Sequence, residues 1–84
     1  MIALIVDSDK ERAQLTMEDL LLSENFDDAI VMNDMPDLWR HILYKGVSTI
    51  GKIILEAKFA PETIRQLKLT GSFWEDKIVV LGNS

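Results

Sequence analysis

Two textures alternate along the chain. The runs "IALIV" (2–6), "AIVM" (29–32), "KIILEA" (52–57) and "KIVVL" (77–81) are short, continuous and rich in β-branched residues. Runs that are apolar on both faces suit strands of a parallel sheet covered on both sides. The segments between them carry a helical period. Across 9–23, Ala13, Met17, Leu20 and Leu21 fall on one helix face, the spacing of an amphipathic helix. Ser8 or Asp7 is placed to cap its start, with Asp9, Glu11 and Arg12 in the first turn.

A second helix is expected over 36–45, with Asp34 as N-cap, Pro36 and Asp37 in the first turn and Gly46 past the end. Met35, Leu38, Trp39, Ile42 and Leu43 form its inward stripe. A third is expected over 61–70, opening at "APET" and stopping at Gly71, with Ile64, Leu67 and Leu69 turned inward. Strand, helix, strand, helix, strand, helix, strand is the βαβαβαβ order. It predicts a three-layer α/β domain with a parallel four-stranded sheet and right-handed crossovers.

Eighty-four residues bound this to one domain, 1–84, with no internal repeat or linker. A chain of this size buries only about 60–65% of its unfolded surface. Apolar residues make up 48% and charged residues 27%, which is globular composition rather than disorder. There is no cysteine, so disulfides, thiolate metal ligands and a cysteine nucleophile are excluded. Fourteen acidic residues against nine basic give a net charge of −5, and the basic residues are scattered. Direct nucleic-acid binding is not expected, because a grip on phosphates needs a basic patch. No apolar run reaches the ~20 residues of a membrane span. "MIALIV" has no basic segment ahead of it and is no signal peptide. The expectation is a soluble, cytoplasmic protein.

In a doubly wound sheet, ligands sit beyond the carboxyl ends of the strands. That rule selects Asp7, Ser8 and Asp9, then Asn33 and Asp34, then Glu56 to Lys58, then Gly82 to Ser84. Asp7, Asp9 and Glu56 together could hold Mg²⁺ weakly, since that ion accepts one or two carboxylates plus waters. The competing reading makes Asp7 and Asp9 servants of the helix N-terminus, whose dipole favours anions by about 0.3–1 kcal/mol. His41 has no second histidine or cysteine to share a zinc ion with, and is read as a surface residue. The glycines form no phosphate-cradling loop. Phe73 and Trp74, before the last strand, are either a core plug or an exposed anchor for a partner.

The stretch "ALIVDSDKERAQLTMEDLL" resembles the start of a response-regulator receiver domain, where a hydrophobic strand ends in acidic residues and a helix with an arginine follows. "KIILEAKFAP" resembles that family's third strand and "DKIVVLGNS" its fourth. The resemblance implies a flavodoxin-like fold in which strands one and three are neighbours. It places Asp7 where the family keeps a magnesium-binding carboxylate, with Ser8 at the adjacent acidic position and Asp9 one residue late. Glu56 stands at the phosphoacceptor position, where the family has aspartate. Gly82 falls where a hydroxyl residue is usual, with Ser84 close by, and the family's fifth strand and lysine are absent. These departures point away from phosphotransfer. They point toward a non-enzymatic pseudo-receiver without a cofactor, a regulatory or dimerisation domain that binds a protein partner or a second copy of itself. Three alternatives stand for the uncovered sheet: the chain is the N-terminal part of a longer protein, such as a transcription regulator, or it dimerises, or its sheet is completed in another way. A four-stranded open sheet leaves an edge and part of a face uncovered, which favours a homodimer. The alternative is a Mg²⁺-dependent, phosphoryl-responsive signalling switch.

Overall fold

In the computed structural model, residues 1–23, 26–46, 48–69 and 76–81 are described. Strand β1 (Ile2–Val6) lies inside a four-stranded, all-parallel sheet of order β2-β1-β3-β4. Its neighbours are β2 (Asp28–Met32) and β3 (Ile50–Glu56), and β4 (Ile78–Leu81) pairs with β3 at the far edge. The helices are α1 (Lys10–Ser23), α2 (Met35–Lys45) and α3 (Ala60–Lys68). An all-parallel sheet in this order is compatible with a flavodoxin-like fold.

The period of two in β1 explains the layers. Leu4 and Val6 point to one face, where they join Met32, Leu38, Ile53, Leu55 and Leu67 under α2 and α3. Ala3 and Ile5 point to the other, where Ala13 and Leu20 of α1 cover them together with Ala29 and Ile54. All four are fully buried, so β1 needs apolar residues at every position rather than at alternate ones. Each large aliphatic side chain buried this way contributes about 1.5–3 kcal/mol.

Between Ile2 and Ala3 the β1–β3 register slips past Gly51. Glycine at the slip has a packing reason. A Cβ on Gly51 would lie 2.9 Å from Cε1 of Phe26 and 3.1 Å from Cβ of Met1, closer than carbon atoms pack. Gly46 ends α2 with φ of 77°, its N–H donating to the carbonyl of Ile42 at 3.0 Å.

Several sequence expectations shift. The third strand starts at Ile50, and Ala57 opens a 3-10 turn (Ala57–Phe59) that runs straight into α3. Pro61, with no N–H to lose, occupies the first turn of that helix. Leu43 and Leu69, expected inward, are 77% and 79% exposed, and Leu21 is 43% exposed, so the buried stripes are narrower than the periodicity suggests. Leu38 is the fully buried residue of α2, with Met35, Trp39 and Ile42 packed at its margin. His41 is half-buried rather than on the surface, and its Nε2 is buried without a partner among the described residues. Phe73, Trp74, Gly71, Gly82 and Ser84 lie outside the described residues. Among the described residues no helix is long and apolar enough to cross a membrane.

Candidate functional site

The carboxyl ends of β1 and β3 are adjacent, so Asp7 and Glu56 reach the same point above the sheet. Asp7 continues β1 by one residue, its N–H donating to the Met32 carbonyl at 2.9 Å, and its side chain is fully buried. The Nδ2 of Asn33, just past β2, donates to the Asp7 carbonyl at 2.9 Å. The ends of β1 and β2 are thereby tied at Asp7.

A buried carboxylate needs a counter-charge, and Arg12 supplies it from the first turn of α1. Its Nε donates to Oδ2 of Asp7 at 2.6 Å and its Nη2 to Oδ1 at 2.7 Å, a two-pronged pair of the stronger, charge-assisted kind. The same Nη2 reaches Oε2 of Glu56 at 3.1 Å. The other oxygen of Glu56 accepts from both the N–H and the hydroxyl of Ser8, at 2.9 and 2.7 Å. Oδ1 of Asp7 also accepts the Asp9 N–H at 2.9 Å. Every oxygen of the two carboxylates thus has a donor.

The electrostatics follow from these bonds. Asp7 is held below its ordinary value of 3.8, chiefly by the Arg12 guanidinium, although burial pushes the other way. Glu56 is held below its ordinary 4.5, first by the Ser8 N–H and hydroxyl. Arg12 is driven further into its charged form by Asp7.

Asp9 is differently placed. Its carboxylate accepts from the N–H of Arg12 at 3.1 Å, and its carbonyl accepts the first helical N–H, that of Ala13, at 3.0 Å. Asp9 is therefore the N-cap of α1, a role the sequence assigned to Ser8 or Asp7. Of the expected trio, the structure brings Asp7 and Glu56 together around an arginine and leaves Asp9 on the helix. Among the described residues no three Asp, Glu, His or Cys side chains gather as a metal centre would require. Mg²⁺ takes near-octahedral oxygen ligands at about 2.0–2.1 Å, and between Asp7 and Glu56 Arg12 already bonds both carboxylates.

Arg12 itself was not legible as a site residue. Five positions from Asp7, it is neither a helical neighbour nor part of a metal-ligand spacing, and its partner Glu56 is 44 residues away. The available signal was two carboxylates converging on one sheet edge with a single guanidinium in the helix that leaves it.

Compared with protein-family models, with curated proteins and with solved structures, the chain matches none.

Proposed function

We propose that the chain is a receiver-like interaction domain without phosphoryl chemistry, a βαβαβαβ unit that regulates or joins a protein partner. The observation that carries this reading is Arg12. A phosphoryl switch needs an acidic pocket open to a divalent cation and an acceptor carboxylate free of competing donors. Here the guanidinium lies between Asp7 and Glu56, and Glu56 already accepts three hydrogen bonds, two at Oε1 from Ser8 and one at Oε2 from Arg12, so a cation or phosphoryl group competes with Arg12 and Ser8. The acidic cluster serves as a fixed link between α1 and the sheet. The exposed apolar residues Val79 and Val80 on edge strand β4 and Leu15 and Leu22 on α1 supply surface for contact.

The test is an amide-resonance titration with Mg²⁺ and beryllofluoride. Resonances 7–9 and 56–58 are expected to stay in place for the unaltered chain. In Arg12→Ala the vacated carboxylate pair is expected to take up Mg²⁺, with shifts confined to Asp7, Ser8 and Glu56. Saturable shifts in the unaltered chain would instead establish the alternative, a Mg²⁺-dependent switch built on Asp7, Asp9 and Glu56.

A further inference from the structure

Strand β2 is an edge of the sheet among the described residues, pairing with β1 only. In a parallel ladder each residue turns both its N–H and its C=O to one side, and successive residues alternate. Met32 turns its carbonyl to the β1 side, where it accepts the Asp7 N–H. Ile30 follows it, and Ala29 and Val31 turn their backbone groups to the open edge. The N–H of Ala29 is already closed off by its neighbour, Oδ1 of Asp28, at 2.8 Å. A charged side chain at this place guards half of the edge. The other half, at Val31, is left open among the described residues.

Beside that opening α2 forms the wall of a cleft of about 370 Å³, a volume at the small end of ligand sites. Its floor is Ile30, Val31 and Met32, and the wall carries Arg40, His41, Tyr44 and Lys45. The cleft is cationic in a chain whose net charge is −5. Asp37 is the acidic residue of the lining, and it engages Nη1 of Arg40 at 3.3 Å with both side chains half-exposed or more. A guanidinium has five donors, so Arg40 keeps capacity for a second carboxylate. His41 adds a buried ring nitrogen without a partner among the described residues, a condition that costs free energy until a polar group arrives.

We infer that this cleft takes an extended peptide segment of a partner protein, added as a strand beside Val31, with an acidic side chain bound by Arg40. The inference deepens the interaction-domain reading and rests on it. Backbone exchange with Val31 supplies register, the apolar floor takes the alternate side chains, and the carboxylate selects the sequence. His41 lines the cleft, so its ring reports whether the cleft is occupied.

The chain has one histidine, so its ring nitrogens give one unambiguous signal. The probe is an acetylated, amidated pentapeptide of Val and Thr with a central Glu, and a matched peptide with central Lys. The Glu peptide is expected to move the Val31 amide and the His41 ring saturably, with the Lys peptide at least about tenfold weaker, or about 1.4 kcal/mol. Arg40→Glu is expected to abolish or reverse that preference, and its wild-type dispersion of resonances elsewhere verifies the fold. Equal response to both peptides, or no response at Val31, overturns the proposal. So does movement of Val31 and His41 on dilution of the peptide-free chain, which assigns the cleft to a second copy. Failure of the broader reading looks different: it appears as beryllofluoride shifts at 7–9 and 56–58, with no peptide present.

Discussion

A carboxylate buried without a counter-ion is among the costlier groups a small domain can hold, and Asp7 is tolerated because Arg12, Asp9 and the sheet edge satisfy it. Its replacement is correspondingly informative. Asp7→Asn keeps the shape but loses the charge-assisted pair, and is expected to lower stability at neutral pH by about 1–3 kcal/mol in urea unfolding. The acid dependence has a definite sign. Asp7 and Glu56 both sit below their ordinary values of 3.8 and 4.5 when folded. The unfolded chain therefore binds more protons as the solution is acidified. The stabilisation is complete above about those ordinary values and is lost as the pH falls through the lower, folded ones. Asp27, held low by the terminal ammonium of Met1, adds to the same slope. Urea midpoints taken from pH 7 downward are expected to fall below pH 4.5, and to fall less steeply in Asp7→Asn. Equal slopes in the two proteins would remove Asp7 from the account. The sequence made Asp7 and Glu56 visible because strand ends are where charge is informative. It concealed Arg12, whose role depends on Glu56, 44 residues away, converging with Asp7 at the sheet edge.

At the level of elements, hydrophobic period was the dependable guide. The described strands and helices overlap the expected runs and spacings, with bounds shifted by one or two residues at β3 and α3, because β-branched runs and i, i+3, i+4 stripes report burial directly. What period could not show was the width of each stripe. Leu43 has the right spacing yet faces solvent, since α2 meets a single sheet face and buries less than a full apolar arc, and Leu69 is exposed because α3 ends at Lys68, short of the expected residue 70. The 3-10 turn at Ala57–Phe59 was also hidden, because no composition distinguishes it from the end of a strand. The stop of α2 was legible through Gly46. Its φ is positive and a Cβ added there would meet nothing within 4 Å, so its requirement is conformational rather than steric. Gly46→Ala is expected to cost about 1–3 kcal/mol through backbone strain, measured by thermal unfolding, whereas a cost near zero would mean that the helix end relaxes.

For the molecule as a whole, the two core clusters lie back to back across one sheet, and β4 closes it with only partly covered residues. Val79 and Val80 are 40% and 43% exposed, unlike the fully buried interior of β1. A domain of this size has little stability in reserve, so surface of this kind is better occupied than bare. Sedimentation equilibrium over a range of concentrations is expected to give the same association state with and without Mg²⁺. A mass or shape that responds to Mg²⁺ would restore the acidic strand ends as a functional cation site. The layered α/β plan was open to sequence reasoning because it follows from burial pattern. The use of the acidic edge was not, because it depends on which charge fills the gap between two strands.

The link from Ser8 and Arg12 to Glu56 also bears on how the chain reaches this structure. Ser8 and Glu56 are 48 residues apart, and the β1–β3 pairing beneath them spans a similar interval. Closing so long a loop costs entropy before any contact offsets it. The central strand pair therefore cannot nucleate locally, while the β1–α1–β2 segment can form within its first 32 residues. The Arg12–Asp7 pair lies inside that first segment, whereas the bonds of Arg12 and Ser8 to Glu56 require β3. Weakening the Glu56 bonds is therefore expected to accelerate opening of the β3 half more than it slows formation of the first segment.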